Sequence, residues 1–381
     1  MRCVEGILFW LAVATLVVLV AGTIEMTLGR RAIRHLRDQE PVKSGPKVSV
    51  IVSARNEARK IEPALRSLLQ LDYPNIEFSV VNDRSTDETG AILDRFSGIK
   101  VVHIRELPKG WLGKNHAQQT GAEHATGELL LFTDADVHME SSVISRAVGC
   151  MQASRLDHLA LAPQVTMPGT LLEMFAGTFT IMFGIYAKPW KAPDPKSARH
   201  IGIGAFNLIR ADVYRAIGGH AKIAMRPDDD MKLGKLVKMA GGRQEMLMGD
   251  GLLTVEWYSS VHELMHGLEK NSFAGVEYNL ALLVAATIAQ LVAFVWPVTA
   301  LFVTTAATWW LNVAILAVTA LFYAGNAREH GLKRWHCVGF PLMCVLFLLI
   351  LWRATLKTLI NDGIDWRGTH YSLAELKANK I

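Results

Sequence analysis

The feature that most limits this chain is where its apolar residues stand. Residues 7–24, ILFWLAVATLVVLVAGTI, run without a charge, and a stretch of that kind crosses a hydrocarbon core as one helix. A second apolar block runs from Val276 to about Leu359, broken by the basic stretch NAREHGLKRWH. It divides into about three spans, near 277–301, 305–324 and 337–357, with the first boundary at Trp296-Pro297 left open. At 51% hydrophobic residues and a mean hydropathy of +0.23, the chain is too apolar for an ordinary soluble enzyme. A removable secretory signal fits the first run poorly: Arg2 is a thin basic flank, and no clear A-x-A cleavage site precedes Arg30. The expectation is a membrane anchor over 1–28, a soluble domain over 45–275, transmembrane helices over 276–360 and a tail over 361–381.

Charge assigns the domain a side. Arg30, Arg31, Arg34 and Arg37 follow the first span, so the domain belongs on the cytoplasmic face. The last span has basic residues at both ends, Arg328, Lys333 and Arg334 before it and Arg353, Lys357 and Arg367 after it. A single crossing cannot have both ends inside, so one of the three spans is expected to be re-entrant or interfacial. The net charge of +5 is diffuse; it suits an anionic membrane surface and gives no nucleic-acid footprint. Four cysteines without C-x-x-C spacing supply neither a disulfide framework nor a zinc cage.

Between the apolar ends, strand and helix patterns alternate. Short β-branched or leucine-rich runs at 47–54, 76–82, 99–104 and 128–133 predict strands. Between them, RNEARKIEPALRSLLQL and GKNHAQQTGAEHATG predict helices, as does STDETGAILDRF, which Ser85 and Glu88 open in capping-box spacing. Such alternation means crossover connections, a mostly parallel sheet and a ligand site at the carboxyl ends of its strands. Those ends read ARNE, NDRSTDE and TDADVH, which sets Glu57, Asp83, Asp87, Asp134 and Asp136 along one rim. Any one of these acids alone reads as a turn or a cap; their coincidence at one edge reads as a site. Asp134-Ala135-Asp136 suits Mg²⁺ or Mn²⁺, which are held by one or two carboxylates plus substrate phosphates. A diphosphate is therefore the expected ligand.

The ordered stretches SVIVSARNEARKIEPALRSLL, VVNDRSTDET, GWLGKNHAQQTGAEHATGELLLFTDAD and RPDDDMKLGKLVKMAGG resemble the family 2 glycosyltransferases, inverting enzymes of GT-A fold that use nucleoside-diphosphate sugars. The resemblance covers about residues 45–275 and is nearest to the membrane-bound, non-processive lipid glycosyltransferases of the hopanoid-associated and ceramide glucosyltransferase types. It implies that Glu57 and Asp83 hold the base and ribose, with Asp87 either a second nucleotide contact or a helix cap. Lys114 matches the lysine that lies toward the diphosphate, Asp134 the ribose contact and Asp136 the metal ligand; His138 is either a further ligand or a surface residue. Asp230 takes the place of the catalytic base and Asp229 that of its acidic partner, although the family's usual Glu-Asp is here Asp-Asp-Asp and the register could shift by one. The same acids also make a good first helical turn behind Pro227, and their mutual repulsion raises at least one pKa, as suits a base.

The resemblance further implies a UDP-sugar donor, a membrane lipid acceptor and residence in a bacterial inner membrane. Gly204, in GIGAFNLIR, and Trp257 fall on the acceptor side. The apolar stretch LLEMFAGTFTIMFGIYAKPWK reads either as a core helix or as a membrane-surface helix beside the acceptor.

Three rivals remain in view. A processive polysaccharide synthase would carry Q-x-x-R-W, and none stands between Leu247 and Tyr278. A zinc metalloprotease would use His262-Glu263-x-x-His266, but Lys270 and Asn271 follow where a further ligand would be sought. A nucleotide-sugar-binding scaffold would leave the base motif idle. If the zinc spacing is a coincidence, His262, Glu263 and His266 face the acceptor or the lipid interface.

Overall fold

The structure, a computed structural model, describes residues 2–381 and gathers them into two compact units. One consists of Ala32–Thr166, Pro189–Trp257 and Asp365–Ile381; the other holds the chain up to Arg31, Met167–Lys188 and Tyr258–Ile364.

In the first unit, β1 (Val48–Ala54), β2 (Ile76–Asp83), β3 (Lys100–Ile104) and β4 (Leu129–Asp134) lie within a residue of the limits expected from their apolar runs. Further along come β5 (Val137–Met139), β6 (His158–Ala162), β7 (Gln164–Thr166), β8 (Asn207–Arg210), β9 (Gln244–Met248) and β10 (Leu253–Glu256). Among the described residues the main sheet has seven strands in the order β3-β2-β1-β4-β8-β6-β9, and β5-β10-β7 form a smaller one. β1 to β4 are parallel, β8 runs against β4 and β6, and β9 is parallel to β6.

Successive strand residues point to opposite faces, and β1 has buried residues at both parities. Val48, Val50 and Val52 join α2 (Ile61–Leu68), α3 (Thr89–Leu93) and α5 (Val143–Ser154) in one core. Ile51 joins α4 (Gly113–Glu123), α7 (Ala211–Ala216) and α8 (Asp229–Met239) in a second core. Covered on both faces, the sheet leaves its strand ends as the place for chemistry. The strand order reverses between β1 and β4, where a crevice opens in sheets of this kind. Ser53 pairs with Asp134 and Ala54 with Asn82, so the loops after β1, β2 and β4 leave the sheet at one level.

Two local expectations fail there. The first helix starts at Ile61 because Asn56 adopts a left-handed φ of 55°. Its side-chain carbonyl accepts the Thr86 N–H at 2.8 Å, and its own N–H donates to Ser85 Oγ at 3.0 Å. Ser85 is thereby used between loops and caps nothing; α3 opens at Thr89, whose N–H donates to Asp87 Oδ1 at 3.0 Å. Hydrogen bonds between two sequence-distant loops outcompete the local cap.

The second unit is built from α1 (Arg2–Arg31), α6 (Thr170–Ala187), α9 (Val261–Gly275), α10 (Leu280–Gln290), α11 (Trp296–Val303), α12 (Ala306–Glu329) and α13 (Phe340–Ile360). Between α10 and α11 the helix continues through a π-turn, Leu291–Val295, which ends just before Trp296-Pro297, where the proline lacks an N–H to donate. Among the described residues five helical stretches are long and apolar enough to cross a membrane: Val4–Arg31, Thr170–Lys191, Leu280–Val303, Ala306–Glu329 and Arg334–Ile360. The small residues that interrupt α6 are its packing positions, since Gly177 lies against the Tyr323 ring and Gly184 against Met26.

Candidate active site

Four sequence-distant segments meet at one edge of the main sheet. β4 ends in Asp134, α4 carries Lys114 in its first turn, α8 begins with Asp229 and Asp230, and the chain before β8 brings Gly202 and Gly204. Lys114 Nζ lies 2.9 Å from Asp134 Oδ1 and 3.4 Å from Asp229 Oδ2. Asp230 Oδ2 accepts the Gly204 N–H at 2.8 Å, and its Oδ1 accepts the Met231 N–H at 2.7 Å. Glycine is required for this approach. A Cβ on Gly202 would fall on the carbonyl oxygen of Asp230, and one on Gly204 would stand 2.8 Å from Asp134 Oδ2. Backbone therefore forms the wall between the two aspartates.

Buried Asn115 holds the opposite wall. Its Nδ2 donates to the carbonyls of Ile223, Ala224 and Arg226 at 2.7, 3.2 and 2.9 Å, tying α4 to the loop that precedes α8. The three adjacent acids are divided among separate partners. Asp228 is held by the buried Arg226 guanidinium at 2.8 and 2.9 Å, with Lys232 at 3.6 Å. Asp229, 3% exposed, faces Lys114, and Asp230 faces Gly204.

Burial, followed by the neighbouring Asp229, pushes the Asp230 carboxyl up to about 7 against the pull of Lys114. Burial lowers the pKa of Lys114, but Asp134, Asp229 and Asp230 together hold it above the ordinary lysine range, so the ammonium stays charged. Asp136 is raised to about 6 by burial and then by Asp134, with Lys60 at 3.7 Å opposing. His220, fully enclosed behind this cluster and 2.8 Å from the Tyr214 hydroxyl, is lowered to about 3 by burial and then by Lys114, and stays neutral.

The loops after β1 and β2 hold the remaining predicted acids. Asp83 is bracketed by Arg84 Nε at 2.7 Å and Arg55 Nη1 at 3.5 Å. It lies against the start of α4, where a Cβ on Gly113 would fall on its Oδ2. Glu57 Oε1 receives Arg367 Nη2 at 2.8 Å. Asp87 accepts the Ala58 N–H at 3.2 Å and the Thr89 N–H at 3.0 Å; partial burial opposes its charge, but these bonds hold it below the usual carboxylate range. It ties loop to helix, as a cap does. Trp257 follows directly on β10, where its N–H donates to the Thr166 carbonyl at 3.2 Å.

Arg55, Arg84, Lys60 and Arg367 were not singled out from the sequence. Arg55 and Arg84 each follow a strand directly and stand beside acids, which is a readable signal. Arg367 is far from the others in sequence and gave none.

The zinc-like spacing lies on α9, and its glutamate is a helix cap. Ser260 Oγ accepts the Glu263 N–H at 3.1 Å, and the Glu263 carboxylate accepts the Ser259 N–H at 2.8 Å. The rings of His262 and His266 pack edge to face with centroids 4.4 Å apart. Among the described residues no group of three or more His, Cys, Asp or Glu is arranged to hold a metal by itself.

A lysine is held among aspartates at the switch point of a mostly parallel sheet, and the chain is a glycosyltransferase. The sequence model of the family described as Glycosyl transferase family 2 matches residues 49–218, the stretch from β1 through α7. The chain is 22% identical over 334 residues to the 4,4'-diaponeurosporenoate glycosyltransferase of Staphylococcus aureus (strain MRSA252), covering 86% of this chain and 89% of that one. The enzyme of the same name from strain USA300 is 26% identical over 174 residues, 45% of this chain and 46% of that one. In fold the chain is similar to a mannosyltransferase from Pyrobaculum calidifontis solved with GDP-Man and Mn²⁺, with a TM-score of 0.56 and 19% identity over 93% of this chain and 99% of that one. These likenesses agree with the GT-A-type sheet and with apolar helices at both ends.

Proposed function

We propose that this enzyme moves one sugar, with inversion, from a nucleoside-diphosphate sugar to a membrane lipid or lipid-linked acceptor. The observation that carries this reading is the convergence of Lys114, Asp134, Asp229 and Asp230 around Gly204. Lys114 holds the positive charge that a departing diphosphate needs, and it is fixed there before the substrate arrives. Asp230, raised toward neutrality, takes the proton of an acceptor hydroxyl, and Asp229 keeps its pKa high. A single displacement at the anomeric carbon inverts it. Glu57 and Asp83 contact base and ribose, Asp134 the ribose, and Gly204 and Trp257 line the acceptor side.

A divalent cation, Mg²⁺ or Mn²⁺, fits Asp136. This carboxylate is raised by burial and by its negative neighbour, so a cation would relieve both. With few protein ligands at hand, most of the coordination would come from diphosphate and water, as is usual for Mg²⁺. Such an ion supplies charge stabilisation for the leaving group. The Mn²⁺ and GDP-Man of the Pyrobaculum structure support this donor and metal class. We take UDP-sugars as the first donors to try.

The name of the S. aureus relative supports an acceptor other than the hopanoid or ceramide type expected from the motifs, 4,4'-diaponeurosporenoate. That name denotes a carboxylate, and a carboxylate acceptor needs no base. Asp230→Asn separates the two acceptor chemistries, because it stops attack by a hydroxyl and spares attack by a carboxylate. A single transfer rather than chain extension is preferred, since Q-x-x-R-W is missing from 247–278.

The domain is proposed to sit on the cytoplasmic face of a bacterial inner membrane. Ala32–Thr166, Pro189–Trp257 and Asp365–Ile381 form one compact unit, so the chain returns to the same side after each excursion. Met167–Lys188 then makes no net crossing, and Tyr258–Ile364 makes an even number. One of its three apolar stretches is therefore re-entrant or interfacial, as the basic flanks require.

The test offers a panel of nucleotide sugars with total membrane lipid and Mg²⁺ or Mn²⁺, and identifies products by mass. Transfer to lipid by the native enzyme, abolished by Asp136→Ala, supports the reading. Retained activity in both Asp136→Ala and Asp230→Asn contradicts the site.

A further inference from the structure

The last residues of the chain do more than follow the membrane helices. β11 (Gly363–Trp366) and β12 (Thr369–Ser372) form a hairpin. Its two turn residues, Arg367 at φ 49° and Gly368 at φ 78°, are both left-handed, which matches the twist of a tight hairpin. From that tip Arg367 Nη2 reaches Glu57 Oε1 at 2.8 Å, and its Nη1 donates to the Arg55 carbonyl at 2.8 Å. Arg55 reciprocates by donating from its guanidinium to the Arg367 carbonyl. Glu57 Oε2 has no hydrogen-bond partner among the described residues.

The tail is anchored at its other end as well. Ser372 and Glu375 form a capping box that opens α14 (Leu373–Ala378), whose Leu376 is fully buried. Asn379 Oδ1 accepts the Met225 N–H at 2.9 Å, and its Nδ2 donates to the Lys222 carbonyl at 2.9 Å. Lys235 of α8 donates to the Ile381 carbonyl at 2.5 Å. Residues 365–381 thus reach from the loop after β1 to the loop before α8.

We propose that this tail completes the donor site and that Arg367 is a positioning residue for Glu57. A glutamate on a loop can turn its carboxylate through many orientations, whereas a guanidinium that is itself held on the Arg55 carbonyl fixes one oxygen in place. The second oxygen is then presented to a hydroxyl or ring N–H of the nucleoside. This inference rests on the reading of Glu57 as a donor contact. Arg367 does not touch the reacting atoms, so its loss weakens donor binding and leaves the chemical step of bound donor alone.

The experiment is a double-mutant cycle in the full-length enzyme, with KM for the nucleotide sugar and kcat measured separately. Arg367→Ala is expected to raise donor KM about tenfold with kcat little changed, as for a lost charge-assisted contact. Arg367→Lys is expected to restore only part of that, because a lysine keeps the charge without the fork. Glu57→Gln raises KM by a similar factor, and the double variant is no worse than Glu57→Gln alone. A thermal midpoint within a few degrees of native in Arg367→Lys keeps the comparison free of misfolding. If Glu57→Gln raises KM and Arg367→Ala does not, or if the two effects simply multiply, the positioning role is overturned while Glu57 stays a donor contact. If Glu57→Gln leaves KM unchanged, the donor reading of Glu57 falls and this inference with it.

Discussion

The starts of α8 and α9 are alike on paper. Each is a helix N-terminus with acids in its first turn, where negative charge meets the positive end of the dipole, and each carries a motif with a chemical reading. At α8 two acids look outward to other segments, Asp229 to Lys114 of α4 and Asp230 to the Gly204 backbone, while Asp228 pairs with Arg226 two residues before it. At α9 the acid folds back on its own helix, with Glu263 bound to Ser259 and Ser260. The three aspartates bury charge beside charge, which costs stability and shifts a pKa toward neutrality; the histidine motif satisfies itself locally. A motif becomes a candidate site when residues far apart in sequence converge on it. Capping alone accounts for the other.

The largest expected effect is at Asp230. With a hydroxyl acceptor, Asp230→Asn lowers kcat by about 10²–10⁴-fold, while His262→Ala stays close to native; equal losses in the two variants would erase the contrast. Lys114→Ala is next, with about 10²–10³-fold lost from kcat, read in the same transfer assay. Gly202→Ala puts a Cβ against the Asp230 carbonyl and is expected to cost about 1–3 kcal/mol in denaturant unfolding, taking part of the activity with it.

The pH response separates the two helix starts again. In its proposed role Asp230 works as a base when ionised, so transfer to a hydroxyl is expected to rise as the pH passes upward through about 7. Stability runs the other way. Between the usual carboxylate range and about 7 the folded chain keeps a proton that the unfolded chain has lost, so stability falls as the pH rises across that window. Asp230→Asn flattens both profiles. The smallest effect is at α9, where Glu263→Ala loses part of a cap, about 0.5–2 kcal/mol, with transfer unchanged.

The strands and the acid-lined rim were legible because they rest on local signals: apolar runs of strand length, and acids at the end of each. The helix after β1 was overextended because its boundary is decided by Asn56 and Ser85 bonding between loops, which no window of sequence contains. The stretch 170–187 was ambiguous because Gly177 and Gly184 lower its apparent hydrophobicity while serving as contact points for Tyr323 and Met26. Asp134, Asp229 and Asp230 could be named from motifs. That Lys114 ties them together and that Gly204 separates them required the fold. Arg367 was invisible for the same reason, since nothing near it in sequence mentions Glu57.

The account stands most directly on one comparison of products. Native enzyme, Asp136→Ala and Asp230→Asn are each incubated with nucleotide sugars, Mg²⁺ or Mn²⁺ and total membrane lipid, and the glycosylated lipids are weighed by mass spectrometry. The account predicts a singly glycosylated lipid from the native enzyme, none from Asp136→Ala, and none from Asp230→Asn whenever the acceptor group is a hydroxyl. Equal product from all three proteins would contradict it.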